Sequence, residues 1–394
     1  MTFSPNKMLA ALCVSVTVSY GILWYAFTVI QTPMQRDLGW NSAVINGGAS
    51  LAILVSGGAA AMVGRWFDQS GTRVPMAVGS LLAALGVLGW ALADVPIIYW
   101  LAWLLIGLGR SLVVYEAAFH AVNQHFTDRR RALTILTFAG GFASVIFIPL
   151  INYFLQSLNW REVLLILALL ELLTLPLHWL FMPNKPADLK EPNPSTPLEI
   201  LRSPTFTTLT AAFALVAVSG ITMNLQAIPM LLEKGYEAGF AASIGALVGL
   251  MGLPGRLLFT PLGARIGGYR TLALLASCNA LGALALLIGG SSWSAYAFLV
   301  LYGVGFGAIA PNKSALLTEV FGARHYGRIS GELTTRNLLF QAGAPLLAGL
   351  IHTQTGSYNP VLLLLCLCSA AAAALLLTCP PFAPQINSSL SRST

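Results

Sequence analysis

Long runs of apolar residues, separated by short polar segments, cover most of the chain. Each run has about 20 residues or more, the length an α-helix needs to cross the hydrocarbon core of a bilayer. The runs lie at approximately 8–31, 43–64, 74–94, 97–122, 132–155, 162–182, 205–231, 239–264, 271–290, 294–317, 327–351 and 359–379. This pattern predicts an all-α polytopic membrane protein with twelve transmembrane helices.

One polar segment near the middle of the chain differs from the other connections. Between Pro183 and Pro204 the sequence is NKPADLKEPNPSTPLEILRS, which is rich in proline and charge. That composition is typical of a flexible aqueous linker. We therefore predict two six-helix bundles, over residues 1–182 and 205–394, joined by a cytoplasmic linker over residues 183–204.

The two predicted bundles also resemble each other in sequence. Residues recur at a spacing of 196 or 197: Pro33-Met34 with Pro229-Met230, Gly39 with Gly235, Gly107 with Gly303, Pro149 with Pro345, Gly71 with Gly268, and Arg73 with Arg270. A repeated unit with an even number of helices gives two copies of parallel orientation, related by an axis along the membrane normal. Rocking of two such halves about a cavity between them is alternating access, and no nucleotide-binding P-loop is present to drive it.

Composition supports lipid as the solvent for most of the chain. Of the 394 residues, 56% are hydrophobic and 9% are charged, whereas about 25% of a soluble domain is charged. The net charge of +7 is spread along an apolar chain and forms no basic face for nucleic acid. The five cysteines show neither CxxC spacing nor clustered histidines, so we expect no metal site and no cofactor.

The positions of the 21 Lys and Arg residues predict the orientation. Fourteen lie at the termini, in the linker and in every second loop, and three lie in the opposite loops. Cations are retained on the cytoplasmic side during insertion, which predicts cytoplasmic termini and a cytoplasmic linker in the cell inner membrane. The remaining four fall within predicted helices: Arg110, Arg256, Lys313 and Arg336.

The most specific motif follows the second predicted helix. The sequence GRWFDQSGTR carries Gly64, Asp68, Gly71 and Arg73 in the pattern G-x-x-x-D-x-x-G-x-R. Gly64 permits close helix approach, Gly71 permits a tight turn, and Asp68 with Arg73 can form a charge network that gates one end of the molecule. The alternative, that the arginines are only cytoplasmic markers, leaves the aspartate and the glycines unexplained. The second-half counterpart, PLGARIGGYR, has Arg265 in place of the aspartate, which predicts an asymmetric latch.

These residues resemble the signature of the major facilitator superfamily, and the resemblance covers essentially the whole chain. Helices one, two and eight are similar to those of bacterial relatives of the monocarboxylate transporters. The resemblance implies that Arg256 is a substrate-binding arginine. Gly252 stands where such carriers have an acidic residue, and the first helix lacks their lysine.

Charged residues inside the membrane are the main candidates for chemistry, because each costs several kcal/mol near the bilayer centre. Arg110, Arg256 and Arg336 outnumber Glu116 and Glu171. We therefore expect an anionic substrate bound by guanidinium groups, with the two glutamates as candidates for coupling. The alternative for Arg110 and Arg336 is neutralisation by Glu116 or Glu171. The alternative for Arg256 is that it pairs with a carboxylate or caps carbonyl groups between packed helices.

Two other titratable residues and several neutral ones complete the list. His120 is expected to be a solvated interfacial histidine, and Lys313 is expected to extend to the surface. The neutral candidates for lining the cavity and contacting substrate are Tyr20, Trp24, Gln226 and Asn337.

Together these features predict a secondary transporter of a small organic anion, of carboxylate type, with proton coupling left open. Proton-driven efflux of amphipathic drugs or metabolites is the first alternative, and a membrane sensor that binds a solute without moving it is the second. Enzymatic activity is not expected, because no intramembrane nucleophile is paired with a base.

Overall fold

The structure is a computed structural model that describes residues 4–186 and 196–382. Within those ranges it consists of helices and connecting segments without a strand, so the predicted all-α fold is confirmed. Residues 187–195 of the predicted linker, and residues 1–3 and 383–394 at the predicted cytoplasmic termini, lie outside the described residues.

Twelve long helices follow one another in the described residues. They are α1 (Pro5–Leu38), α2 (Ser42–Ser70), α3 (Arg73–Ala91), α4 (Pro96–His125), α5 (Arg129–Phe154), α6 (Trp160–Phe181), α7 (Pro204–Glu233), α8 (Ala238–Ile266), α9 (Gly268–Ile288), α10 (Ser292–Phe321), α11 (Tyr326–Thr355) and α12 (Asn359–Leu377). A short helix, Pro197–Arg202, precedes α7 within the predicted linker. It begins with a capping box in which Thr196 and Glu199 satisfy each other's backbone N–H groups, because the first turn of a helix has no internal acceptors for them.

Eleven helices in the described ranges are long and apolar enough to cross a membrane. The twelfth, α11, has 30 residues but is not among the eleven. Its polar and charged side chains, which include Arg328, Glu332, Arg336 and Asn337, lower its hydropathy. The predicted count of twelve spans therefore rests on length alone for α11.

Four helices of the first half are irregular. Helix α1 contains a π-helical turn at Gly21–Tyr25, α4 is interrupted by extended backbone at Val114, α5 is interrupted at Phe142, and α6 is interrupted at Leu173. In α5 the interruption follows two glycines and precedes Pro149, which cannot donate a backbone hydrogen bond. Such interruptions occur often at functional sites, and those of α1, α4 and α5 lie close to the candidate site described below.

The predicted sequence repeat is visible at the ends of corresponding helices. Gly39 ends α1 with φ +65° and Gly235 follows α7 with φ +86°. Gly71 ends α2 with φ +76°, and its counterpart after α8 is Gly267, with φ +88°. The prediction paired Gly71 with Gly268. The glycine with a positive φ angle, which glycine alone adopts readily, is instead Gly267. It lies 196 residues after Gly71, the same spacing as the other pairs.

Helix packing repeats in the same way. Gly107 of α4 packs against Ala52 of α2, and Gly303 of α10 packs against Val248 of α8. The two contacts are related by the 196-residue offset at both of their residues. A side chain at either glycine would meet the backbone of the partner helix, so both pairs of helices approach as closely as small residues allow.

The two halves meet mainly along two pairs of helices, α2 with α11 and α5 with α8, and α4 and α10 also take part in the contact. We call this contact the seam. The end of the bundle that holds residues 71–72, 126–128, 267 and 322–325 is called the closed end, because the backbones of the two halves touch near it. There Gly64 of α2 touches the backbone of Gly327 in α11.

Replacing Gly64 with alanine is expected to open the closed end. The added Cβ would meet the carbonyl group of Gly327, and backbone can yield only if the halves separate; overpacking of this kind costs about 1–3 kcal/mol. Spin labels at Arg131 and Arg265, both exposed, should show a longer distance between the halves in a cysteine-free background. Gly58→Ala is the matched control, since no described atom lies within 4 Å of a Cβ at that position. An unchanged distance in Gly64→Ala would disprove the role of Gly64 in closure.

Candidate functional site

Three of the predicted site residues come together between α1 and α4. The guanidinium carbon of Arg110 lies 4.3 Å from the centroid of the Trp24 ring, which is the geometry of a cation–π contact. The rings of Tyr20 and Tyr115 lie 4.6 Å apart, centroid to centroid. Trp24 is 44% exposed, so the described residues leave part of this cation–aromatic pair uncovered.

Arg256 approaches the same region from the second half of the chain. Its Nη1 donates a hydrogen bond of 2.6 Å to the carbonyl oxygen of Thr137 in α5, and its Nε donates one of 3.1 Å to the carbonyl oxygen of Gly307 in α10. The hydroxyl of Tyr115 donates to the same Thr137 oxygen at 3.2 Å. The side chains of Tyr20, Trp24, Arg110, Tyr115 and Arg256 are called the central cluster below.

The central cluster carries two positive charges without a carboxylate partner. Among the ion pairs of residues 4–186 and 196–382, none includes Arg110 or Arg256. The acceptors of Arg256 are neutral carbonyls, and the contact of Arg110 is an aromatic face. Neutralisation of Arg110 by Glu116 or Glu171 is therefore not what the structure has. The contacts of Arg256 match its own alternative, the capping of carbonyl groups between packed helices.

The two glutamates are placed elsewhere. Glu116 of α4 binds two residues of the other half across the seam: its carboxylate accepts from Lys313 Nζ at 3.1 Å and from Ser330 Oγ at 2.9 Å. Lys313 is thus part of an ion pair and does not simply extend to the surface as predicted. Glu171 is fully buried in α6 and accepts a hydrogen bond of 2.8 Å from Ser19 of α1.

The structure does not bring the remaining predicted ligands into the central cluster. Arg336 is exposed, and its guanidinium carbon lies 4.9 Å from the ring centroid of Phe206, near the start of α7. Gln226 donates from Nε2 to the carbonyl oxygen of Pro345 at 3.2 Å and so links α7 to α11. Asn337 is buried in α11.

The gating motif lies at the closed end, and Asp68 joins the two halves there. Its carboxylate accepts hydrogen bonds from the backbone N–H groups of Gly327 at 3.0 Å and Arg328 at 2.8 Å, in the first turn of α11. These groups have no acceptor within their own helix, and the helix dipole favours a negative charge at this end. Asp68 therefore acts as an N-cap supplied by the opposite half. His120 Nε2 lies 2.9 Å from the same carboxylate, and His120 is 1% exposed, in contrast to the predicted solvated histidine.

Arg73 was expected to form a charge network with Asp68, but its hydrogen bonds go to other residues. Its Nε donates to the carbonyl oxygen of Met182 at 2.9 Å, and its backbone N–H donates to Pro183 at 3.0 Å. Arg73 thus ties α3 to the end of α6 within one half. At Gly71 a Cβ would meet the backbone of Lys185, so the turn needs glycine for space as well as for its positive φ.

A second connection at the closed end was missed by the sequence analysis, which counted Arg130 only as a cytoplasmic cation. Arg130 of α5 donates from Nε to Glu319 of α10 at 2.9 Å. Its Nη1 donates to the Thr260 carbonyl at 3.2 Å and to Asn312 Oδ1 at 3.1 Å. By the repeat, the first turn of α5 corresponds to the first turn of α11, which meets Asp68. The sequence repeat could therefore have indicated that Arg130, in the first turn of α5, also lies at a contact between the halves.

The two latches differ because the capping chemistry differs. The first turn of α5 is capped by its own Asp128, whose side chain accepts from the Arg131 N–H, so it needs no carboxylate from the opposite half. Arg265, which replaces the aspartate in the second half, is exposed. The latch on that side uses Arg130, reaching from the first half into the second.

Comparison with known proteins agrees with this architecture. The family model described as Major Facilitator Superfamily matches residues 12–339. "Monocarboxylate transporter 11" of Homo sapiens is 27% identical over 370 residues, covering 88% of this chain and 77% of that protein. "Oxalate:formate antiporter" of Oxalobacter formigenes is 25% identical over 318 residues, covering 77% of this chain and 75% of that protein.

Solved structures match over nearly the whole chain. The human organic anion transporter MFSD10 aligns with a TM-score of 0.70 and 15% identity, covering 95% of this chain and 98% of that one. A bacterial homologue of the iron transporter ferroportin, in an outward-facing state, aligns with a TM-score of 0.74 and 14% identity, covering 94% and 98%. Identities this low show a shared fold alone.

The sequence resemblance is thereby confirmed, including the similarity to monocarboxylate transporter-like members. The family model covers more than half of the chain, and its members are transporters, not enzymes. The chain is a multi-pass membrane transporter and belongs to the Major Facilitator Superfamily.

Proposed function

We propose that this transporter is a secondary carrier that moves a small organic anion of carboxylate type across the cytoplasmic membrane by alternating access. The observation that carries the proposal is the pair Arg110 and Arg256 in the central cluster, neither of which has a carboxylate partner among the described residues. Two such charges at membrane depth are unfavourable without a counter-charge. A substrate carboxylate supplies it.

The cluster also offers the shape that carboxylate recognition needs. A guanidinium group presents a planar fork of donors that matches a carboxylate. Arg256 uses Nε and Nη1 on backbone carbonyls and can exchange these neutral acceptors for an anionic one. Trp24 and Tyr20 provide aromatic surface for the non-polar part of a small organic acid.

The seam supports alternating access with the closed end facing the cytoplasm. The sequence assigns fourteen of the 21 cations to the termini, the linker and the loops of that side, which favours cytoplasmic termini and a cytoplasmic linker. A carrier that is closed at its cytoplasmic end is outward-facing. Asp68, Glu116 and Arg130 all bind across the seam. These contacts must break when the halves rock to the inward-facing state. The names of the relatives, a monocarboxylate transporter and an oxalate:formate antiporter, agree with an organic anion as substrate.

The test is uptake into liposomes that contain the purified protein. A panel of labelled mono- and dicarboxylates is offered with and without a proton gradient, and protein-free liposomes give the background. We expect saturable uptake of at least one anion and exchange against the same unlabelled anion inside. Uptake of lipophilic cations with no response to any anion would favour the alternative, efflux of amphipathic compounds, and would disprove the proposal.

A further inference from the structure

Helix α6 carries a buried polar face that lies outside the central cluster. Glu171, Thr174 and His178 follow one another at spacings of three and four residues, and all are at most 1% exposed. They face Ser19 of α1 and Ser80 of α3, which are also fully buried. Buried titratable groups in a membrane helix are costly and require a structural or functional reason.

The carboxyl group of Glu171 has a single hydrogen-bond donor. Ser19 Oγ donates to Oε1 at 2.8 Å, while Oε2 has no partner among the described residues. No cation in the described ranges forms an ion pair with Glu171. A buried carboxylate without a counter-charge or a full set of donors costs several kcal/mol. This environment therefore stabilises the neutral, proton-bearing form of Glu171.

His178 is the other titratable group on this face, and its hydrogen bonds are different. Thr174 donates its hydroxyl hydrogen to the Glu171 carbonyl at 2.7 Å, so the 2.7 Å contact between Thr174 and Ser80 uses the hydrogen of Ser80. Ser80 then accepts, at 2.7 Å, from His178 Nδ1. The imidazole is thus a neutral donor that ties α6 to α3.

Glu116, the second acidic candidate for coupling, has its charge compensated. Lys313 and Ser330 both bind its carboxylate across the seam, and its side chain is 40% exposed. Of the two glutamates, only Glu171 is buried without a counter-charge among the described residues.

We propose that Glu171 is the binding site of a coupling proton, separate from the anion site. The proposal rests on the carrier function proposed above. One proton bound to the carboxylate of Glu171 neutralises it, and one monoanion bound at the central cluster balances one guanidinium charge, so a proton and an anion cross together without net charge. In the inward-facing state the O–H bond of Glu171 breaks and the proton leaves to water.

The contact with Ser19 connects this proton to the anion site. Ser19 is followed by Tyr20 of the central cluster and by the π-helical turn Gly21–Tyr25, which carries Trp24. Ionisation of Glu171 recruits further donors or water to the carboxylate and alters how α1 packs on α6. Because the side chains of α1 form the aromatic wall beside Arg110, the protonation state changes the anion site without direct contact.

The first test detects the proton directly and does not depend on transport. Infrared spectra of the purified protein at neutral pH should contain a carbonyl stretching band of a buried protonated carboxyl group. Glu171→Gln should remove this band and Glu116→Gln should retain it. Ser19→Ala, which removes the donor, should shift the band and serves as the second variant if Glu171→Gln does not fold. A spectrum of the wild type without such a band, or a band that persists in Glu171→Gln, would overturn the proposal.

The second test separates coupling from anion binding. An inward proton gradient should stimulate anion uptake by the wild type, whereas Glu171→Gln should lose the stimulation and keep exchange of anion for anion. His178→Asn, which keeps a donor for Ser80, should still respond to the gradient. If His178→Asn alone lost the response, or if the wild type transported anions without any response, the proton site would not be Glu171 and the carrier function would stand. If the wild type moved no anion at all, the carrier function would fail and the infrared band would decide on Glu171.

Discussion

Arg256→Gln and Arg110→Gln are each expected to weaken binding of the transported anion by roughly ten- to a hundredfold. A hydrogen bond to a charged group contributes about 1.5–3 kcal/mol, and each 1.4 kcal/mol is about a factor of ten in affinity. Neither guanidinium has a carboxylate partner in the described residues, so removing either one leaves no protein carboxylate unpaired. The measurement is the concentration dependence of anion uptake in liposomes, with binding to detergent-purified protein as a check.

Two matched variants make this prediction specific. Arg336→Gln removes the third arginine that the sequence predicts as a ligand, but Arg336 contacts Phe206 outside the central cluster, so affinity should change little. Arg256→Lys keeps the charge and loses the fork, and it should fall between the wild type and Arg256→Gln if recognition is bidentate. If Arg256→Gln and Arg110→Gln folded and kept the wild-type affinity, both arginines would be structural and the anion site would lie elsewhere.

Arg130→Gln is expected to lower transport by more than about tenfold while leaving anion affinity within a factor of about three. Arg130 makes hydrogen bonds to Glu319, Thr260 and Asn312 across the seam, and the loss of charged hydrogen bonds worth about 1.5–3 kcal/mol destabilises the state that is closed at this end. The central cluster lies further along the seam and stays intact. Uptake rates and equilibrium binding are measured on the same preparation.

The neighbouring Arg131 provides the control, because it is exposed and lies in the same turn. Arg131→Gln should transport at close to the wild-type rate. Glu319→Gln should be less severe than Arg130→Gln, since Arg130 retains Asn312 and the Thr260 carbonyl, and the side chain of Glu319 is 44% exposed. Equal rates for Arg130→Gln and Arg131→Gln would remove Arg130 from the gate.

The chain's pattern of apolar residues was sufficient to predict the fold class. Long hydrophobic runs must become helices in a bilayer, because lipid offers no partner for backbone N–H and C=O groups. The repeat at 196 residues and the motif around Gly64, Asp68 and Gly71 could also be recognised in the sequence. Close helix contacts require small residues, and positive φ angles favour glycine. The structure bears out the close contact of Gly64 and the turn at Gly71.

The partners of charged residues could not be predicted in the same way. The sequence places Asp68 beside Arg73, yet Asp68 binds the first turn of α11, 259 residues further along the chain. Arg130 finds Glu319 at a separation of 189 residues. Both outcomes depend on how the halves are rotated against each other, and local spacing carries no information about that rotation.

For the three arginines within predicted helices, the sequence predicts depth in the membrane but not the direction in which each side chain points. Position along the sequence predicts that Arg110, Arg256 and Arg336 lie within the membrane, because depth follows from helical rise. Only the tertiary structure determines that Arg110 and Arg256 flank the aromatic side chains between the halves while Arg336 contacts Phe206. Residue type and helical period limit which side chains share a helix face, but the choice of face toward lipid, seam or substrate is made by packing against other helices.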